Sequence, residues 1–151
     1  MATAFDVPAN RLIPKLAEQL SKVETIAPPE WAACVKTGRH REKSPNDERW
    51  WFVRSAAVLR KIYLEGPIGT TRLAAKFGGK KDRGSKPNKA TRGSRSIARA
   101  TVQQLEKSQL VQRDKDGGRI ISSKGRKLVD NLSTQILKEM AAQNPELAKY
   151  V

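Results

Sequence analysis

Nine cationic side chains lie between positions 76 and 99: Lys76, Lys80, Lys81, Arg83, Lys86, Lys89, Arg92, Arg95 and Arg99. Against them stands one carboxylate, Asp82, and no further acid occurs until Glu106. Ammonium and guanidinium groups at this density neutralise phosphates and release the counterions condensed on a nucleic acid. Arg92, Arg95 and Arg99 are three and four apart, the spacing that makes a ridge on a helix. Ser94 and Ser96 stand among them, either as helix N-caps or as donors to phosphate oxygens. A solvated face is the plainer reading of any charge run. It does not account for so long a segment with almost no acid.

Other chemistries have little to work with. Cys34 is the only cysteine and His40 the only histidine, so no disulfide closes within the chain and no zinc finger can form. There is no cluster of carboxylates for acid–base work, and neither catalytic residues nor cofactors are expected. Cys34 is expected to pack inward beside Trp31 as an inert thiol, and His40 to sit in a loop. Lys plus Arg number 30 and Asp plus Glu 15, a formal charge of +15 on 151 residues. Such a charge repels itself unless a polyanion screens it. No apolar run reaches membrane-spanning length. A membrane-surface helix would need exposed aromatics among its cations, and none lies between Phe77 and Arg99. The opening MATAFDVPAN predicts no signal peptide, and the lone thiol suits a reducing, cytoplasmic setting.

The charge has a place in the chain. Residues 1–34 and the tail from Thr134 are close to neutral, while residues 35–61 and 107–133 are moderately basic. One face is therefore expected to be basic, held by neutral helices. Leu12, Leu16 and Leu20 predict a helix within 8–21, starting near Leu12–Ile13 so that Pro14 falls in its first position. Pro28-Pro29-Glu30 opens a short helix at best. Asp47 is a candidate N-cap for a long helix, Trp50 to Leu64, with Trp51, Ser55, Val58 and Ile62 as its inner stripe. Trp51 suits that stripe, and Trp50 either packs on the first segment or offers a stacking surface. Thr70 or Thr71 caps a short helix through Phe77. Lys80 to Gly93 has no apolar periodicity and is expected to be a loop. Ser94 or Ser96 then caps a helix to about Ser108, with Ala98, Val102 and Leu105 inward. The runs 110–113 and 118–121 flank the turn signal DKDGG and predict a hairpin. Ser122 or Ser123 starts a last helix through Met140.

Helix, turn, helix and a two-stranded wing make a winged-helix-like module. The expected class is mainly α, with extra N-terminal helices and one small antiparallel hairpin. The expected organisation is a single RNA-binding domain over 1–151. Residues 1–46 form its N-terminal helical part, 47–142 the core with the basic loop 80–93, and 143–151 a frayed tail. A winged helix can enter a DNA major groove. A long flexible basic loop suits the irregular surface of RNA. Pattern alone leaves the two close.

Longer pieces of sequence separate them. PEW at 29–31, DERWWFVRSAAVLRKIYL at 47–64, FGG at 77–79, GSRSIARATVQQLEKSQLV at 93–111 and DKDGGRIISSKGRKLVD at 114–130 follow in order over nearly the whole chain. In these the chain resembles the small-subunit ribosomal protein nineteen family of archaea and eukaryotes, which is unrelated to the bacterial protein of the same number. Its helical start and lack of long basic extensions look more archaeal than eukaryotic. The resemblance implies a structural, non-enzymatic protein of the small-subunit head that contacts the 3′ domain of the small-subunit rRNA and aids maturation of the subunit. Its implied partners are that rRNA and neighbouring head proteins, with no membrane, and a monomer when isolated. A DNA-binding winged-helix regulator is the alternative. Arg95 and Arg99, in the matching GSRSIAR piece, are the first candidates for RNA contact. Arg92, Lys89, Lys86, Arg83, Lys81 and Lys80 follow on charge alone. Arg54 is either an RNA contact or an ion-pair partner of Asp47 or Glu48. Arg119 either touches RNA from the hairpin or covers Asp114 or Asp116.

Overall fold

A computed structural model describes residues 2–115, 117–144 and 146–147. Its helices are α1 (Ala9–Leu20), α2 (Trp50–Glu65), α3 (Thr70–Lys76), α4 (Arg95–Lys107) and α5 (Ser123–Gln143). Its strands are β1 (Gly79–Arg83), β2 (Lys86–Thr91), β3 (Val111–Asp114) and β4 (Gly118–Ile121). The class is mainly helical and winged-helix-like, as the sequence predicts.

The inner stripe of α2 organises the core. Trp51, Ser55, Val58 and Ile62 are all buried, and Ala56 and Leu59 widen the stripe. Against it pack Leu12, Leu16 and Leu20 from α1 and Val129, Leu132 and Ile136 from α5. Lys15 and Glu139 tie α1 to α5 at the surface. The start of α1 differs from expectation. The helix begins at Ala9 and carries Pro14 in its interior. An interior proline costs a helix about 3 kcal/mol. Burying a leucine stabilises by about 1.5–3 kcal/mol, so the row of three outweighs it. The ring of Pro14 is exposed, as is Asn10, whose carbonyl loses its helical donor.

A second correction concerns the segment after Pro29. Glu30–Ala33 is a single 3₁₀ turn. Its tighter winding turns Ala32 into the core and leaves both Cys34 and Trp31 exposed, the latter by 40%. Trp31 still lies edge-on to Trp51, with ring centroids 5.6 Å apart. The caps also shift. Asp47 accepts a hydrogen bond from the Arg49 amide at 2.8 Å, just ahead of the helix, and Arg49 is the N-cap. Gly69, not Thr70 or Thr71, caps α3. The cap of α5 is as expected: Ser122 accepts from the Gly125 amide at 3.0 Å.

The wing forms where DKDGG marks it, with Val111 opposite Ile121 and Asp114 opposite Gly118. Ile68 exchanges both backbone hydrogen bonds with Arg119 and extends the ladder towards α3. Glu106 on α4 accepts from Arg119 Nε at 2.8 Å, which pins the wing to the helix. Asp116, Pro145 and the tail from 148 lie outside the described residues.

Tyr63 links α2 to α5, its hydroxyl donating to Asp130 at 2.7 Å. Burial, then the bond to Asp130 and that group's charge, push the phenol up to about 12. The folded value lies above the unfolded one, so this stabilisation is present below pH 10 and is lost as pH rises through 12. In a Tyr150→Phe background, phenolate absorbance should rise with its midpoint near pH 12 and not near 10.

Candidate nucleic-acid interface

The stretch 80–93, expected to be a structureless loop, is mostly a second hairpin. β1 and β2 pair antiparallel with Gly79 opposite Thr91, Lys80 opposite Ala90, Lys81 opposite Lys89 and Arg83 opposite Lys86. The turn explains the pairing. Asp82 accepts from the Gly84 amide at 2.9 Å, and Gly84 adopts φ +69°, a conformation glycine takes without strain. The only acid of the segment is thereby engaged in building the turn.

This hairpin has no buried face. Every side chain from Lys80 to Ala90 is exposed. Two of its cross-strand pairs, Lys81–Lys89 and Arg83–Lys86, place like charges directly opposite, which destabilises a ladder. A two-stranded ribbon is marginal even without such repulsion. The folded hairpin is thus a basic arm whose strands carry opposed like charges.

Its root is held firmly. The Gly93 amide donates to the Ala74 carbonyl at 2.8 Å, and the Ser94 amide to the Thr37 carbonyl at 2.9 Å. A Cβ on Gly93 would stand 2.6 Å from the Phe77 carbonyl oxygen. Gly93→Ala should therefore cost about 1–3 kcal/mol, the usual range for forced overpacking, read as a fall in thermal midpoint.

From this root α4 begins. Ser94 is its N-cap, its Oγ accepting from the Ile97 amide at 3.3 Å, while Ser96 is exposed. Ile97, Ala98, Val102 and Leu105 face the core. Arg95 and Arg99 are left exposed on the helix, with Arg92 exposed just before it. The structure thus brings the ridge and the arm together at one end of α4.

Two candidates, Arg54 and Arg119, differ from that group in being half-buried. Arg54 is half-buried, its guanidinium 4.4 Å above the centre of the Phe77 ring. Among the described residues it pairs with neither Asp47 nor Glu48. Burial, and then the charge of Arg41, hold its pKa below the usual guanidinium value. Arg119 is engaged by Glu106, which also lies 3.6 Å from Arg113. Of the aromatics, Trp51 is fully buried, and Trp50 is half-buried against it with centroids 5.3 Å apart.

Sequence reasoning missed two cations. Gly38 pairs with Gly93 in an isolated antiparallel bridge. That bridge carries Lys36 and Arg39, from the 35–49 segment, to the root of the arm. The segment TGRHREKS is visibly basic, but nothing local in it says where it docks. Beside the bridge, the ring of half-buried His40 lies close to Gly38 and Gly79. Burial, then Arg41 and Arg54, depress its pKa, so His40 joins two cationic segments without adding charge.

Among the described residues no group of three or more histidines, cysteines or carboxylates is placed to hold a metal ion, and no helix is long and apolar enough to cross a membrane. The family model described as Ribosomal protein S19e matches residues 3–139. The small ribosomal subunit protein eS19 of Thermoplasma acidophilum is 44% identical over 151 residues, covering 100% of both chains. That of Aeropyrum pernix is 40% identical over 153 residues, again across 100% of both. The eS19A protein of Schizosaccharomyces pombe is 38% identical over 134 residues, 89% of this chain and 93% of its own.

Proposed function

The chain belongs to the ribosomal protein S19e family, and from that premise we propose that it binds the 3′ domain of the small-subunit rRNA in the subunit head and aids maturation of the subunit. Members are structural proteins of the small ribosomal subunit and not enzymes. The observation that carries the finer reading is the assembly of exposed, almost acid-free cations on one end of α4 and on the arm. Phosphate contacts from these side chains position the protein without reading sequence.

The arm works by coupled ordering. In the free protein its like-charge pairs leave residues 80–91 opening readily, and phosphates that neutralise them close it. Amide exchange in 80–91 is then close to unprotected in the free protein and slowed in the subunit. The reading is tested with the charge reversal Arg95→Glu/Arg99→Glu, both on an exposed face. That variant folds as the parent does, fails to sediment with small subunits, and leaves precursor rRNA to accumulate. Unimpaired incorporation would contradict it.

A further inference from the structure

We propose that Lys36, Arg39, Arg92 and Arg95 form one seat for a single phosphate group of the RNA, at the junction of Gly38 and Gly93. This deepens the function proposed above and rests on it for the identity of the RNA.

The four cations come from two segments far apart in sequence, and the Gly38–Gly93 bridge makes them neighbours. Together with Gly38, Gly93 and Ser94 they line one concavity, and no carboxylate lines it. All four are exposed, and among the described residues none makes a salt bridge. The carboxylates that do form salt bridges lie elsewhere: Glu65 with Lys61 and Lys76, Glu106 with Arg113 and Arg119, Glu139 with Lys15. Here four positive groups line one concavity with no salt-bridge partner, so their mutual repulsion is left for a ligand to relieve. The floor is backbone. Gly38 and Gly93 form the bridge itself, and the Ser94–Thr37 and Gly93–Ala74 hydrogen bonds hold it still. Guanidinium forks on such a fixed base can close around an oxyanion.

The experiment has two arms. The free protein is titrated with inorganic phosphate while backbone amides and arginine Nε–H groups are followed by NMR. Saturable shifts are expected at residues 38, 39 and 93–95, lost in Arg39→Ala. Shifts spread evenly over every exposed cation would overturn the seat. Both Arg39 and Arg95 are exposed, and an unchanged thermal midpoint confirms that the variants fold. In the second arm Arg39→Ala, Arg95→Ala and the double variant are measured on a fragment of the rRNA 3′ domain across a salt series. Each single change should weaken binding by up to about fivefold, as for an exposed ion pair. Because the two share one phosphate, the double variant lowers the salt slope by about one unit and not two. Independent losses and a drop of two units would overturn the single seat and leave RNA binding intact. Saturable phosphate shifts with no binding of the fragment would keep the oxyanion seat and sink the proposed function.

Discussion

Trp51→Ala should lower the unfolding free energy by about 3–5 kcal/mol, the cost of emptying a buried aromatic site. The side chain has no exposed surface. Its ring meets those of Trp31 and Trp50 edge to face, at 5.6 and 5.3 Å. Its Nε1 donates to Gln104 Oε1 at 2.8 Å, and Gln104 Nε2 donates onward to the Ala27 carbonyl at 2.7 Å. One indole therefore couples α2, α4 and the segment ahead of the 3₁₀ turn. Trp51→Phe keeps most of the packing and removes the donor, so a loss of about 1–2 kcal/mol is expected. Urea unfolding followed by circular dichroism measures both. A loss under about 1 kcal/mol for the alanine variant would mean that the indole does not anchor α4.

The second large effect concerns binding. Replacing Lys80, Lys81, Arg83, Lys86 and Lys89 together by glutamine should leave the thermal midpoint unchanged or higher. No buried contact is lost, and two opposed like-charge pairs disappear. Binding to the rRNA fragment should fall steeply. Each neutralised phosphate adds about 0.7–0.9 to the salt slope, so the slope should drop by up to about 4 units. A variant with unchanged slope would show that the arm does not touch RNA. A variant that unfolds would contradict the description of the arm as free of core contacts.

The parts of this fold that bury a face were legible in the sequence. Trp51, Ser55, Val58 and Ile62 declare α2, because a helix with one wet side leaves its period in the chain. The wing was legible for a different reason: DKDGG fixes a turn, and Val111 and the two isoleucines after it anchor the strands. The arm was not legible, because neither of its faces is buried and no period-two pattern exists to be read. Only the turn at Asp82–Gly84 marks it. Trp31 and Cys34 do not pack inward: a spacing of three gives them a shared face but not which face meets the core. In the 3₁₀ turn it is Ala32 that faces the core. At the candidate interface, Arg95 and Arg99 followed from helix spacing, while Lys36 and Arg39 join them only through a bridge between residues 38 and 93. A pairing of that range leaves no local signal. From the sequence Arg119 is an RNA contact or a cover for Asp114 or Asp116, since Glu106, thirteen residues earlier, is an ion-pair partner only once the wing folds back on α4.

The most direct test of the central claim sets a fragment of the small-subunit rRNA 3′ domain beside a DNA duplex of equal length across a salt series. A preference for the RNA that survives physiological salt, and that weakens in Arg95→Ala and Arg99→Ala, is the result predicted. Tighter binding to the duplex at that salt would contradict it and favour a winged-helix regulator of DNA.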